Sequence, residues 1–187
     1  MREPTAPASK IGATGPADQH VSERVVIDCG DLNMRIARNG TWFYHGSPIG
    51  RKPLVKLFAS VLRREADGEY WLVTPVERGR VEVEDAPFTA VELAAEGAGR
   101  EQVLRFRTNL DEWVEAGPDR PIRLAPGDAR SGPRPYVLVR DGLEALILRP
   151  VFYELVALAG PRTAGVQELG VWSQGAFFPL SEARGSG

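Results

Sequence analysis

The segment RNGTWFYHGSPIGRKPLVKLFA (residues 38–59) has a counterpart further along the chain, RDGLEALILRPVFYELVA (residues 140–157). Each segment begins with an arginine and an Asn-Gly or Asp-Gly pair, which is a strong hairpin-turn signal when it lies between apolar runs. Each continues through a short apolar strand into a helix opened by a proline, a residue favoured at the first helical position. The sequence therefore predicts the order strand, turn, strand, helix twice.

A strand that carries a tryptophan follows each of these helices, at residues 70–73 (YWLV) and 171–173 (VWS). Alternating or continuous apolar runs predict further strands at residues 80–85, 89–95 and 102–108. The class is α+β and strand-rich, with an internal duplication of a β-hairpin, helix and β unit. We also expect Asn39-Gly40 and Asp141-Gly142 to form two-residue hairpin turns with positive backbone φ.

The first predicted helix has five apolar residues at positions i, i+3, i+4, i+7 and i+8. This spacing predicts one apolar stripe along a helix that ends near residues 67–68. The stripe consists of Leu54, Leu57, Phe58, Val61 and Leu62.

Composition shifts divide the chain into four segments. Residues 1–24 are rich in Pro, Ala, Gly, Ser and Thr and have no apolar periodicity, so they are predicted to be a disordered tail. Ala86-Pro87 is the candidate boundary between an N-terminal half, residues 25–86, and a C-terminal half, residues 87–180. Residues 181–187 form a second predicted tail.

The overall charge excludes several classes of protein. The 23 basic and 25 acidic residues nearly cancel, so we expect no nucleic-acid partner. No apolar run approaches the roughly 18 residues of a membrane span. The single cysteine, Cys29, rules out an internal disulfide and fits a reducing compartment. Because the first residues also lack the apolar core of a signal peptide, we expect a cytoplasmic protein.

Both predicted helix starts carry cations where the helix dipole is already positive. Arg51 and Lys52 precede Pro53, and Arg149 precedes Pro150. Acidic or hydroxyl residues are favoured at such positions, whereas a cation beside free N–H groups forms a phosphate or carboxylate site. We therefore predict that Arg51, Lys52 and Arg149 bind an anion. The alternative is that these side chains turn to solvent or pair with a nearby glutamate.

A second candidate anion-binding surface lies on a predicted strand. Arg105 and Arg107 are two residues apart and share a face of the strand, and Asn109 follows at its end. Arg107 and Asn109 are predicted to give directional hydrogen bonds to a ligand. An ordinary solvated face is the alternative for the arginine pair.

Aromatic residues of the predicted hairpins could add a stacking or apolar wall to such a site. Trp42, Tyr44 and Trp172 are the candidates. Aromatic side chains in hairpins also commonly belong to the core, and this alternative stays open.

Catalytic and metal-binding patterns are weak. His45 is the sole histidine of the predicted folded region, and with Cys29 it cannot form a zinc-type cluster. Neighbouring acids at Glu84-Asp85 and Asp111-Glu112 are interpreted as solvated turn residues. We therefore expect no metal, no cofactor and no catalytic residue, although an uncharacterised enzyme remains a third hypothesis for the function.

Long stretches of the chain resemble a bacterial family that is numbered twelve-eighty-five among the domains of unknown function. The matching motifs cover roughly residues 29–180. They are GDL (30–32), MRIAR (34–38), GTWFY (40–44), GSPIGR (46–51), LVTPVE (72–77), RTN (107–109), GLEALI (142–147), RPVFYEL (149–155) and GVWS (170–173). The resemblance implies a duplicated domain whose C-terminal half is pleckstrin-homology-like. It also implies a site for a nucleotide-like ligand between the halves and a part in signal transduction.

Together these observations favour a non-catalytic ligand-sensing module. We expect it to bind a small anionic, nucleotide-like ligand at the interface between the halves, in bacterial signal transduction. The alternative is a protein-interaction adaptor that binds a signalling partner through its C-terminal half.

Overall fold

Two six-stranded sheets, a small three-stranded sheet and two nine-residue helices make up the described chain. The computed structural model describes residues 26–127, 132–163 and 168–180. The tails predicted at residues 1–24 and 181–187 lie outside the described residues. The strand-rich α+β class is confirmed.

The first sheet contains the strands of the N-terminal half in the order β3-β2-β1-β6-β5-β4. All neighbours are antiparallel except the central pair, β1 and β6, which run parallel. The helix α1 (Lys52–Ser60) connects β3 to β4. The strands are β1 (Ile27–Ile36), β2 (Trp42–Tyr44), β3 (Ser47–Pro48), β4 (Leu62–Arg64), β5 (Tyr70–Val73) and β6 (Glu77–Val83).

The second sheet contains strands of the C-terminal half in the order β10-β11-β12-β7-β8-β9, again with one parallel pair, β12 and β7, at its centre. A one-turn 3-10 helix, Gly99–Glu101, lies between β7 and β8. The strands are β7 (Phe88–Glu96), β8 (Val103–Thr108), β9 (Trp113–Glu115), β10 (Ile122–Ala125), β11 (Arg134–Arg140) and β12 (Leu143–Ile147).

The helix α2 (Arg149–Ala157) follows β12 and leads to the three-stranded sheet of β13 (Gly160–Pro161), β14 (Leu169–Ser173) and β15 (Ala176–Pro179). Each half thus contains an antiparallel hairpin, a helix and a three-stranded antiparallel meander, which confirms the duplication. In both meanders the middle strand carries the tryptophan. The copies differ because β6 pairs with β1, whereas β10 occupies the corresponding place beside β11.

The two predicted hairpin turns have different outcomes. Asp141-Gly142 is confirmed as a two-residue turn, with φ values of 42° and 75° between the paired residues Arg140 and Leu143. The prediction of a two-residue turn at Asn39-Gly40 is wrong, since β1 and β2 are joined by a loop over residues 37–41. Within it the Gly40 N–H donates to the Ala37 carbonyl at 2.8 Å, and the longer loop carries Gly40 toward the C-terminal half.

The helix α1 is shorter than predicted, and its apolar residues lie on more than one face. It ends at Ser60 because the following residues, from Leu62, pair with β5. Its buried residues are Val55 and Ala59, whereas Leu57 of the predicted stripe is 62% exposed. The single-stripe prediction is therefore wrong. The physical reason is that Val55 and Ala59 are buried toward the C-terminal half, where Lys52 and Lys56 also pair with Asp111, and this orientation leaves Leu57 in solvent.

The hydrophobic core is continuous across the boundary between the halves. Buried residues of β1 and β6, such as Ile36 and Val81, belong to the same cluster as Phe88, Leu143 and Leu155. The N-terminal and C-terminal halves therefore share a packed seam. Among the described residues no helix is long and apolar enough to cross a membrane.

Candidate functional site

A buried carboxylate lies where the chain passes from β6 into β7. The side chain of Asp85 is 3% exposed. Its Oδ1 accepts a hydrogen bond from the hydroxyl of Tyr136 on β11, at 2.6 Å. Its Oδ2 lies 3.3 Å from Nη1 of Arg134 and 3.7 Å from Nε of Arg38. Asp85 therefore binds groups from both halves, and its interpretation as a solvated turn residue is wrong.

Tyr136 has a fixed role as a donor in this cluster. Burial first, and then the hydrogen bond to the Asp85 carboxylate, raise the pKa of Tyr136 to about 12. The phenol therefore keeps its proton at neutral pH and serves as the hydrogen-bond donor to the Asp85 carboxylate. This fixes the carboxylate against the sheet of the C-terminal half.

A cavity of about 380 Å³, which we call the seam cavity, lies over Asp85. It brings three arginines together, since Arg38 comes from the loop after β1, Arg134 from the start of β11 and Arg149 from the start of α2. Two of these guanidinium groups, those of Arg38 and Arg134, pair with the Asp85 carboxylate. The lining residues are Arg38, Asp85, Pro133, Arg134, Pro135, Leu146, Ile147, Leu148, Arg149, Phe152 and Tyr153.

Two buried polar atoms of the seam cavity lack hydrogen bonds to the described residues. They are Oδ2 of Asp85 and Nε of Arg134. Leaving a buried donor or acceptor unsatisfied costs about 1–3 kcal/mol, so such atoms are rare in folded proteins. The pair therefore offers a ligand one strong acceptor and one donor in addition to the arginine charges.

The two helix starts differ in position. Neither has a capping side chain or an acidic residue in its first turn, as the sequence predicts. Arg149, the first residue of α2, lines the seam cavity, whereas Arg51 precedes α1 and lies outside it. Of the two predicted anion sites at helix starts, the Arg149 site is therefore the one that faces this cavity.

Lys52 and Arg107 meet at a carboxylate of the protein itself. The Asp111 carboxylate lies 2.7 Å from Nζ of Lys52, 2.9 Å from Nζ of Lys56 and 3.4 Å from Nη1 of Arg107. Hydrogen bonds from Lys52 and then Lys56 lower the pKa of Asp111 to about 2. Lys52 and Arg107 therefore already have a carboxylate partner within the protein. Glu92 takes a further bond from Arg107, at 2.6 Å.

Asn109 uses its amide to join the halves. Its Nδ2 donates to the carbonyl of Gly40 at 3.1 Å, and its Oδ1 accepts from the backbone N–H of Thr89 at 3.1 Å. Both polar atoms of the side chain thus have partners within the protein. Asn109 lies beside Lys52 at a shallow crevice of the seam, away from Asp85.

The three candidate aromatic residues lie in three different places. Trp42 is 1% exposed and stacks on Phe58 in the core. Tyr44 is 51% exposed and contacts His45 edge to face. Trp172 packs against Phe177, and the Arg100 guanidinium lies over the Trp172 ring, 4.7 Å from the ring centroid. The aromatic side chains at the seam cavity are instead Phe152 and Tyr153.

Comparisons with known proteins place the chain in a family. Residues 25–86 match the profile described as the domain of unknown function DUF1285, N-terminal domain, and residues 87–180 match the C-terminal domain of the same family. The chain belongs to the DUF1285 family. No functionally curated protein matches it.

Two solved DUF1285 structures are similar to this one. A family protein from Silicibacter pomeroyi DSS-3 is 48% identical, with a TM-score of 0.77 over 91% of this chain and 90% of that chain. A family protein from Shewanella baltica OS155 is 30% identical, with a TM-score of 0.53 over 68% of this chain and 91% of that chain. Both share the fold of this DUF1285 protein.

Sequence reasoning identified Arg149 but missed the other charged residues of the seam cavity. Asp85 carries no local signal that separates it from a solvated turn acid, and Arg38 and Arg134 are separated from it by 47 and 49 positions. One hint was present in the sequence, since Asp85 is followed at once by Ala86, Pro87 and Phe88, which the structure shows to be buried. A carboxylate that opens a buried run is a candidate for burial itself.

Proposed function

We propose that this DUF1285 protein is a non-catalytic ligand-sensing module of bacterial signal transduction in the cytoplasm. Its ligand is small, anionic and nucleotide-like, and it binds in the seam cavity. The convergence of Arg38, Arg134 and Arg149 over the buried Asp85 is the observation that carries this proposal. Guanidinium groups bind phosphate and carboxylate through paired hydrogen bonds, which favours such a ligand.

The composition of the cavity wall supports a ligand with more than an anionic group. Phe152 and Tyr153 supply apolar and aromatic surface beside Arg149. Oδ2 of Asp85 has no hydrogen-bond partner among the described residues, so a ligand that also carries an N–H or O–H donor fits better than phosphate alone. A nucleoside monophosphate has an anion, a flat apolar body and several donors.

A ligand in the seam cavity touches both halves of the protein. Arg38 and Asp85 belong to the N-terminal half, and Arg134 and Arg149 to the C-terminal half. Binding therefore stabilises the contact between the halves. This makes the position of one half relative to the other sensitive to the ligand, which is what a sensing module requires.

The test begins with thermal-shift measurements against inorganic phosphate, nucleoside monophosphates and small carboxylates. A ligand at 100 times its dissociation constant stabilises the folded protein by about 2.7 kcal/mol. The strongest probe is then titrated calorimetrically into wild type, Arg149→Ala and Arg51→Ala. We expect Arg149→Ala to weaken binding by about tenfold, equal to about 1.4 kcal/mol, and Arg51→Ala to have little effect.

Ionic strength provides the second arm of this test. The loss caused by Arg149→Ala should shrink as salt is raised, because screening already weakens the wild-type contact. Lys52→Ala is a matched control, since Lys52 also precedes a proline at a helix start but lies outside the seam cavity and contacts Asp111. Equal affinities of wild type and Arg149→Ala at low salt contradict the proposal, as does an equal loss in Lys52→Ala.

An adaptor function is the second candidate, and the exposed side of α2 favours it. Tyr153 and Val156 are one helical turn apart and are 62% and 44% exposed. Exposed apolar groups on one helix face are typical of protein contacts. If the second function is correct, Val156→Asp abolishes capture of a signalling partner while the affinity for the anionic probe stays unchanged.

A further inference from the structure

A second cavity, separate from the seam cavity, lies inside the N-terminal half between α1 and the first sheet. Its volume is about 480 Å³, within the usual range of small-molecule pockets. We call it the N-half groove. Its apolar wall consists of Leu32, Met34, Ile49, Leu54, Phe58, Val61 and Leu72.

The orientation of α1 explains why apolar side chains line a groove instead of being covered. The helix face that carries Val55 and Ala59 is buried at the seam between the halves. Leu54, Phe58 and Val61 then follow one another at i, i+4 and i+7 along the neighbouring face, and all three line the groove. Leu54 stays 38% exposed. The helix therefore presents an apolar stripe to a space that a ligand can fill.

The mouth of the groove carries one carboxylate without a cationic partner among the described residues. Glu77 lies on the same face of β6 as Gly79 and Val81, which are both buried. Its contact is the thiol of Cys29, whose Sγ lies 3.9 Å from Oε2. The groove is thus apolar inside and has an unpaired anion at its edge.

Within the described part of the chain, the cation at the mouth, Arg78, is paired with a carboxylate. Nη2 of Arg78 lies 2.9 Å from the Asp28 carboxylate, and its guanidinium covers the ring of Trp71 at 4.4 Å from the centroid. With Asp28 and Glu77 negative and Arg78 positive, the mouth has a formal charge of −1. A cationic group of a ligand is therefore attracted to the edge of the groove, and an anionic group is repelled.

We propose that the N-half groove binds an amphipathic amine, with its apolar chain or ring along Leu54, Phe58 and Val61 and its ammonium group on the Glu77 carboxylate. Burial of the apolar body supplies affinity, and the ammonium–carboxylate pair selects the class of ligand. This site is independent of the anionic site at the seam, since the two cavities share no lining residue.

The test compares three probes with the same eight-carbon body at pH 7: octylamine, 1-octanol and octanoate. Each is titrated into the full chain by calorimetry, and amide chemical shifts locate the contact. We expect octylamine to bind about tenfold more tightly than octanoate, with 1-octanol between them. The shifted amides should lie on α1, β5 and β6.

Two pairs of variants separate the charge from the apolar wall. Glu77→Gln should lower the affinity for octylamine about fivefold, to that of 1-octanol, whereas Glu82→Gln, on the opposite face of β6, should leave it unchanged. Leu54→Trp fills the groove and should weaken all three probes about tenfold. Leu57→Trp, on the same helix but outside the groove, is its control.

Three results overturn the proposal. The first is that octanoate binds as tightly as octylamine, and the second is that Leu54→Trp binds all three probes like wild type. The third is that no probe shifts amides of α1, β5 or β6 at millimolar concentration. Circular dichroism of each variant confirms that it is folded, which is expected because Leu54 is partly exposed.

Discussion

At the scale of single residues, a glycine and an asparagine make a polar contact across the seam. The carbonyl of Gly40 accepts from Nδ2 of Asn109, and a Cβ at Gly40 would lie 2.6 Å from that same nitrogen. Gly40 also has a φ of 82°, which side-chain-bearing residues rarely adopt. Two independent restraints therefore require glycine at this position.

The two turn glycines provide a matched comparison. We expect Gly40→Val to cost more free energy of unfolding than Gly142→Val. Both need positive φ, worth about 1–2 kcal/mol, but beside Gly142 the nearest atom to a new Cβ is 3.8 Å away. Urea titration of both variants measures the difference. A cost at Gly142 equal to or greater than that at Gly40 contradicts this account of the seam.

Single residues also show where prediction from sequence stops. Lys52 was identifiable as a cation at a helix start, but its partner Asp111 is 59 positions away and belongs to the other half. The helix dipole therefore indicates that a cation at this position needs an anionic partner, but the local sequence does not identify Asp111 as that partner. Only the fold decides whether such a cation binds a ligand or a carboxylate of the protein.

At the scale of elements, α1 is held at both ends by the C-terminal half. Lys52 and Lys56, one turn apart, bind Asp111 near the start of the helix. Near its end, Nη2 of Arg140 donates to the carbonyl of Ala59 at 3.0 Å. A cation is favourable there because the C-terminal end of a helix is partly negative. These contacts fix the rotation of the helix about its axis.

The docking of α1 should depend on acid pH through Asp111. Its pKa is lowered from 3.8 to about 2 in the folded protein. A depressed carboxyl pKa stabilises the fold above the unfolded value, and this contribution is lost as pH falls through the folded value. We therefore expect the free energy of unfolding of wild type to fall between about pH 4 and pH 2 more steeply than that of Asp111→Asn.

Denaturant titrations at several pH values measure those two slopes. Asp119→Asn is the control, since Asp119 is exposed and makes no ion pair within the described residues. Its slope should equal that of wild type. Identical slopes for wild type and Asp111→Asn in this window would contradict the claim that the ion pairs of Asp111 with Lys52 and Lys56 stabilise the docking of α1.

Local patterns predicted most elements but not all of their bounds. The strands β7 and β8 were predicted at residues 89–95 and 102–108, because apolar runs are local signals. The short strand β3 was missed, since the residues after its turn at His45-Gly46 are Ser47 and Pro48, which do not form an apolar run. The end of α1 was placed too late because Leu62 continues the helical spacing although it pairs with Leu72.

At the scale of the whole molecule, the shared core predicts that the halves unfold together. Phe88 and Leu143 of the C-terminal half belong to one cluster with Ile36 and Val81 of the N-terminal half. We expect the most protected amides of both six-stranded sheets to exchange with one common opening free energy. Native-state hydrogen exchange measures this directly.

Asn109→Ala tests the coupling between the halves. It leaves the N–H of Thr89 without its side-chain acceptor, which costs about 1–3 kcal/mol. The slowest amides of both sheets should lose protection equally. Asn39→Ala, which removes only a contact within its own loop, is the control. Loss of protection confined to one sheet would show that the halves open separately.

The repeat was visible in the sequence because hairpin turns and proline-opened helices have local sequence signals. The parallel strand pair at the centre of each sheet has no such signal. Strand β1 pairs with β6 across some fifty positions, as in Ile27 with Glu77. No periodicity or turn signal specifies which strands meet over such a distance. The order of strands in each sheet therefore lay beyond the reach of the sequence patterns.

That central pair also determines how the protein responds to mechanical force. Strands β1 and β6 run parallel, and the chain enters the N-terminal half at the start of β1 and leaves it at the end of β6. Tension between these two points pulls the strands past each other along their length. The load is then shared by all hydrogen bonds of the pair at once instead of opening them one by one. The N-terminal half is thus built to resist stretching along the direction in which the chain runs.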